Sequence, residues 1–509
     1  MKQRKACAIV GLLAIASAVQ AGGYLTNTNH NIAFNRNFAR VGTIGIDGVY
    51  SNPAGVAFLE NGFHVSFNVQ NVYQTRTITS SMTLPALQGT PFYQPFKLNG
   101  GNENGEKQFV GKASVPVLPS FQIAKNYDKW GFQLGFGIVG GGGKATFNAG
   151  LPSFERSISM LPALLYSKDL KSPTPGYSVS SYIKGQQYDF GLQLGTTYKV
   201  NDNLAVYGGA RFNYIYNKYE GNILNISANI GGQNRNLYDF FSETAVGLTQ
   251  LASQYASQAA AATDPATKAK LEGAAKMVEG KLKEVNETKE KVKDKYLDCT
   301  QRGWGITPII GIDYRTGKWN FGARYEFTTK FNIQNDTKRD DTGMFRDGVN
   351  TPNDLPGILA VGTQYSVLDN LRLMASFHYY FDKDARMAND KQRLIKSNTR
   401  EYLAGVEWDV TPAITLSAGG QSTRYGLGDG QYLSDLSYVT SSYSLGFGAK
   451  IKVAKNAHLN VAYFFTDYEN FKKEYETTIP SAVGPMKAQN VDDFTRTNKV
   501  LGVGLDIKF

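Results

Sequence analysis

The sequence predicts an all-β protein, a 14-stranded antiparallel transmembrane β-barrel, and three observations predict it. The first is strict alternation. In residues 501–509, "LGVGLDIKF", Leu501, Val503, Leu505, Ile507 and Phe509 share one face, and Gly502, Gly504, Asp506 and Lys508 share the other. The second is composition. The chain holds 53 Gly, 30 Tyr and 29 Phe at a mean hydropathy of −0.32. No uninterrupted apolar run of roughly 18 residues follows Ala21, which excludes helical membrane spans and suits strands that are greasy on one face only. The third is the sorting of connections into short and long, described below.

The first element is a leader. Lys2, Arg4 and Lys5 precede an apolar run from Ala6 to Val19 and then small residues, which reads as a secretory signal peptide over 1–21, cleaved after Ala21. Cys7 stands too early in it for lipid attachment, so the mature chain keeps only Cys299 and forms no internal disulfide. The formal charge of +11 falls by three to +8 with the leader gone. No Lys/Arg block or nucleic-acid motif accompanies that charge, so it belongs to polar loops, and nucleic acid is not an expected partner.

Residues 22–61 are Asn/Gly-rich and non-periodic. They start at the periplasmic mouth, and their apolar content (Ile32, Phe34, Phe38, Val41, Val49, Val56) favours folding back into the lumen as a hatch over dangling in the periplasm. The turn Asn52-Pro53-Ala54 then reverses the chain inside the barrel. Pro53 fixes φ and Asn52 bonds its own turn backbone.

The barrel occupies 62–509. Period-two runs place strands near 62–79, 109–126, 130–146, 178–200, 203–221, 302–315, 318–333, 356–367, 370–381, 396–410, 413–424, 438–453, 456–470 and 494–509. Tight turns join even to odd strands, as at Tyr127-Asp128-Lys129, Asn201-Asp202 and Thr316-Gly317; every odd-to-even connection is long. Short periplasmic turns and extended outer loops are the mark of an outer-membrane barrel, and a soluble sandwich has no reason to sort its loops by side. The third outer loop carries a helical insertion over 236–297, two helices split at Asp264-Pro265, an N-cap followed by proline at the first helical position. Its apolar stripe either buries against itself and the rim or forms part of a ligand groove or partner site.

Alternation places Arg211, Arg324, Glu326, Lys330, Arg372, His378, Glu401 and Glu407 inside the barrel. Arg211, Arg324, Arg372 and His378 are the ligand-binding candidates: a luminal arginine either pairs with an anionic ligand's carboxylate or balances luminal carboxylates and pins the hatch. None of the four histidines lies in a hydrolase, zinc or redox motif. No enzyme, metal or cofactor is expected.

Residues 35–57, "NRNFARVGTIGIDGVYSNPAGVA", resemble the hatch of the FadL-type outer-membrane transporters of long-chain fatty acids and aromatic hydrocarbons. The likeness extends to the fourteen strands, the opening "DKWGFQLGFGI" at 128–138 and the terminal Phe509. The resemblance implies passive uptake of small hydrophobic molecules through a hatch-gated barrel, lateral release into the membrane where the third strand kinks, a monomer, and contact with outer-membrane lipid. It also implies delivery to the barrel assembly machinery through Phe509. The run Gly140, Gly141, Gly142 and Gly143 is the candidate lateral opening; otherwise it is a flexible strand end. The alternative function is a general porin or an adhesin acting through its helical loop, and a hatch-filled lumen argues against the open pore.

Overall fold

The computed structural model describes residues 26–165, 175–479 and 485–509. The expected signal peptide, its cleavage site at Ala21 and the first residues of the expected hatch lie outside them. Fourteen antiparallel staves form the wall. They are β1 (Gly62–Thr83), β2 (Glu106–Asn126), β3 (Trp130–Phe147), β4 (Tyr177–Lys199), β5 (Leu204–Ile230), β6 (Lys295–Thr316) and β7 (Trp319–Glu326), followed by β8 (Ile358–Leu368), β9 (Leu371–Tyr380), β10 (Ser397–Thr411), β11 (Ile414–Gly426), β12 (Ser442–Ala454), β13 (Ala457–Tyr468) and β14 (Met486–Lys508). Each pairs with its neighbour, and β1 closes the ring on β14. Closure leaves no edge, so strands with one polar face survive in lipid.

The outward faces carry the exposed apolar residues, among them Phe67, Phe132, Trp304, Leu445 and Leu501. The inward faces are polar: Ser66, Asn68, Gln122, Gln193, Asn213, Asn320 and Asn460 are all buried. An apolar outside and a polar inside reverse the pattern of a soluble barrel and make the outer surface a lipid face. Aromatic pairs such as Trp130–Tyr198 and Trp319–Tyr365, with ring centroids 4.8 and 4.4 Å apart, stand near the tight-turn end.

Several boundaries differ from the sequence reading, mostly because strands run on beyond the apolar band as polar hairpins. The fifth stave reaches Ile230, the sixth begins at Lys295 and the last at Met486. Above the band both faces meet water or loops, so hydrophobic alternation fades while pairing continues. In the third outer loop α5 (Leu237–Ala261) and α6 (Pro265–Val292) are capped by Asn236 and Asp264, and the second helix stops five residues before the expected 297.

The seventh stave is corrected. It breaks at Glu326 rather than running to 333, and Lys330, expected inside, is exposed. Phe327 N–H still donates to the Pro308 carbonyl at 3.0 Å, but Pro308 has no N–H to return, so the ladder ends there. The chain resumes pairing with β6 over Asn332–Asp340 as an outer hairpin.

At the long-loop end the outer segments cover the mouth. The short helices α3 (Pro152–Ser159) and α4 (Leu161–Leu165) join a cluster that includes Ile78, Phe109, Phe147, Tyr219, Phe345 and Phe494. Arg156 ties α3 to Asp492, and Glu155 accepts from Lys107 at 2.6 Å and Tyr177 at 2.7 Å.

Candidate functional site

Residues 26–59 lie inside the barrel, and the exposed Glu60 and Asn61 lead from them to β1 at the tight-turn end. The luminal residues contain α1 (Ile32–Arg36) and α2 (Gly48–Ser51), and every residue from His30 to Thr43 is buried. Polar side chains of the wall hold this luminal segment. Asn31 donates to Gln122 at 2.8 Å, Asn35 to Gln70 at 2.8 Å, and Gln193 to the Val49 carbonyl at 2.7 Å. Glycines on the wall let backbone meet backbone: a Cβ on Gly322 would sit 2.0 Å from the Val41 carbonyl oxygen, and one on Gly446 2.3 Å from that of Asn35.

The Asn-Pro-Ala turn lies against β6. Asn52 Nδ2 donates to Asp313 Oδ2 at 2.5 Å and to the Thr43 carbonyl at 3.0 Å, while its own Oδ1 accepts from Gly55 N at 3.2 Å. The Pro53 carbonyl accepts from Gln133 at 2.7 Å. Ala54 is fully buried against Tyr207 and Ile309.

All four candidate ligand-binding residues already hold acidic partners. Arg211 and Arg324 both pair with Glu326 beneath Tyr50, and Arg324 stacks 4.5 Å from the Tyr50 ring. Arg372 makes a forked pair with Asp409 at 2.6 and 2.8 Å. The fourth, His378, meets Glu401 at 2.9 Å, and that carboxylate also accepts from Tyr380 and Thr423. Arg36 and Arg40 of the segment reach Glu407 at 2.8 and 2.9 Å, and Arg40 also binds Asp47. Glu407 is thus shared between segment and wall, and breaking such a buried network strands a charge.

Above the segment is a cavity of 160 Å³ with an apolar side formed by Phe34, Phe38, Val72, Leu118 and Phe464 and a polar side that includes Glu401 and Arg496. A second, of 30 Å³, touches Arg76, Ile183, Tyr219 and Leu436, and both cavities touch Gly143. Arg76 and Arg496 are cross-strand partners on β1 and β14, and both are buried. Among the described residues no carboxylate lies within ion-pair distance of either. Arg496 donates to Gln74 at 2.9 Å and lies 4.9 Å over the Tyr468 ring; Nε and Nη2 of Arg76 and Nε of Arg496 have no acceptor among the described residues. Two facing buried cations without an ion-pair partner among the described residues are costly. Sequence reasoning overlooked them although strand parity marks both as inward.

The wall beside the larger cavity is interrupted. β2 and β3 pair over 121–126 with 131–136 and again over 111–113 with 145–147, but not between. Two irregularities in the β3–β4 register, around Gly140 and before Gly143, carry β3 away from β2. Gly141 and Gly143 hold φ of +96° and +67°, left-handed conformations that glycine tolerates. Gly142 lies within the same bulged stretch. On the facing edge, Pro116 and Pro119 have no N–H to leave unsatisfied, a signal in "VPVLPS" that the strand pattern concealed. The luminal segment meets the freed edge: Asn27 N donates to the Val139 carbonyl at 2.9 Å and Asn27 Nδ2 to that of Ile138 at 3.1 Å. Val115 and Leu118 line the cavity from this gap, and Val117 between them is exposed on the outside.

No family model and no curated protein matches the chain. Among solved structures, a FadL homologue from Pseudomonas aeruginosa superposes with a TM-score of 0.54 at 14% identity, over 96% of this chain and 99% of that one. The toluene transporter TodX of P. putida gives 0.46 at 13% identity, over 91% and 94%. The Ralstonia pickettii toluene transporter TbuX gives 0.43 at 13%, over 92% and 97%. The first superposition spans nearly the whole of both molecules and identifies the architecture: this chain has the fold of the FadL-type outer-membrane transporters.

Proposed function

We propose that the chain is an outer-membrane transporter for small hydrophobic molecules with an acidic end, long-chain fatty acids being the fitting class. Cargo enters from the outer loops, rests in the cavity above the luminal segment and leaves sideways between β2 and β3 into the membrane. The observation that carries this reading is the contact between a cavity with one apolar side, formed by Phe34, Phe38, Val72, Leu118 and Phe464, and the unpaired stretch of wall, with Arg496 on the cavity's lining. Apolar surface holds the tail, the Arg76–Arg496 pair holds the carboxylate, and the luminal segment blocks passage straight through to the periplasm. Gly140, Gly141, Gly142 and Gly143 serve the lateral exit, and Asn52, Pro53 and Ala54 anchor the segment. Arg211, Arg324 and Arg372 pin that segment or its supporting wall, and His378 braces Glu401. The leader over 1–21 directs export, exposed Phe509 serves the assembly machinery, and one chain suffices as the working unit.

Cells lacking their own fatty-acid transporter and expressing this chain should take up labelled oleate, and the purified barrel should show little conductance in planar bilayers. A purified protein giving large, stable ion channels would establish a porin and overturn the proposal. Equal binding of oleate and its methyl ester would instead remove the acidic end from the cargo and leave the hydrophobic class standing.

A further inference from the structure

The outer surface holds a second pair of facing arginines, and its surroundings differ from those in the lumen. Arg400 on β10 and Arg424 on β11 are cross-strand partners. Both lie on the lipid-facing side, since their neighbours Thr399, Glu401 and Thr423 are buried inward. Like charges directly opposite each other on a sheet destabilise it unless something neutralises them. One carboxylate is near: Glu469 pairs with Arg424, which also lies 4.2 Å over the Tyr443 ring. Arg400 is exposed and has no ion-pair partner among the described residues. Lys396, four residues earlier at the end of the outer loop, is exposed too, and Lys383 donates to its carbonyl at 3.4 Å.

Height decides what meets this pair. The outward face of β10 descends from Arg400 through Tyr402, Ala404 and Val406 to Trp408, and Tyr402 and Trp408 are among the exposed aromatics. Eight residues of strand span about 26 Å. At a tilt of about 40° that is roughly 20 Å of membrane thickness, so with Trp408 near the periplasmic interface Arg400 stands at the upper edge of an apolar band about 25 Å tall. A guanidinium pair there, above Tyr402 and Tyr443 and below the loop lysines, faces the headgroups of the outer leaflet.

We propose that Arg400 and Arg424 form a binding site for the phosphate of an outer-leaflet lipid. The phosphate bridges the two guanidinium groups in the forked geometry arginine favours, Lys396 adds charge from above, and the acyl chains lie along Tyr402, Ala404 and Val406. The site faces away from the lumen, so it stands or falls separately from transport.

The test is native mass spectrometry of the detergent-purified full chain titrated with bisphosphorylated lipid A. Matched titrations use lipid A with both phosphates removed, and inorganic phosphate alone. The wild-type protein should retain the phosphorylated lipid and release the dephosphorylated one. Arg400→Gln/Arg424→Gln should weaken retention about tenfold or more, the loss expected for a charge-assisted pair. Arg302→Gln, which removes an exposed arginine elsewhere on the wall, should not. If the double variant fails to fold, the comparison of the two lipids on wild-type protein decides alone. Equal retention of the two lipids, unchanged retention by a folded double variant, or inorganic phosphate binding as well as the lipid would each overturn the proposal.

Discussion

Replacing Arg76 by methionine should make the barrel more stable and less discriminating at once. Arg76 faces Arg496 across the β1–β14 seam, where opposed side chains start about 5 Å apart. With charges about 6 Å apart and an effective dielectric near 20, their repulsion is about 3 kcal/mol. Methionine keeps most of the volume, removes that repulsion and eliminates two buried nitrogens that have no acceptor. A gain of about 1–3 kcal/mol should follow, read as a higher temperature for loss of the folded band of unboiled protein on a gel. The same change leaves a single guanidinium for the acidic end of the cargo. Losing one charge-assisted hydrogen bond of about 1.5–3 kcal/mol weakens oleate binding roughly 10- to 150-fold, while methyl oleate binds as before. Isothermal titration of both ligands separates these effects. A variant that melts lower than wild type, or that keeps its preference for the free acid, would refute the claim that the pair lacks a counter-charge and supplies the anion site.

Gly141→Val should lower uptake without preventing assembly, because a Cβ there would sit 2.4 Å from the Gln187 carbonyl oxygen at a φ of +96° and force β3 into a different path beside the gap; unchanged uptake would remove the glycine run from the exit. Asn52→Ala should release the luminal segment by about 2 kcal/mol or more, since it strips Asp313 of a hydrogen bond at 2.5 Å. Hydrogen exchange over 26–59 should accelerate while the barrel's own melting hardly changes, and equal protection would count against the anchor. Acidification should loosen the same segment. Burial pushes the His30 imidazole down to about 3, opposed by its bond to the Asn27 carbonyl and by Glu326, with Arg211 and Arg324 adding to the depression. The docked state therefore binds fewer protons than the released one, and docking weakens by about 1.4 kcal/mol per unit as pH falls below 6.5, down to about 3. Exchange corrected for intrinsic rate should be faster at pH 5 than at pH 7, and His30→Gln should flatten the difference.

The stave count and loop sorting were legible because each depends on local signals: period-two alternation, and turns such as Thr316-Gly317, where Gly317 has a φ of +55°. The break at Glu326 was not, because it depends on Pro308, a residue on the neighbouring strand that alternation along β7 cannot see. For the luminal residues, parity reported that Arg211, Arg324, Arg372 and His378 point inward but not which cations meet carboxylates. Partnership is set by register across strands distant in sequence: Arg211 lies 115 residues from Glu326, and Arg76 is 420 residues from Arg496 and finds another cation.

The uneven seams bear on how the ring would come apart. β1 and β14 are zipped without a break from His64–Lys508 to Thr83–Gln489, while β2 and β3 hold each other by two short runs. A barrel pulled or denatured sideways therefore tears in its interior before its chain ends separate. A circular permutant cut in the turn at 127–129, with Phe509 joined to the luminal segment, would place its new ends on the weak seam and keep the strong one covalently continuous. Its last closing step would then have only those two short runs to zip, which should make it close less tightly than the natural ring.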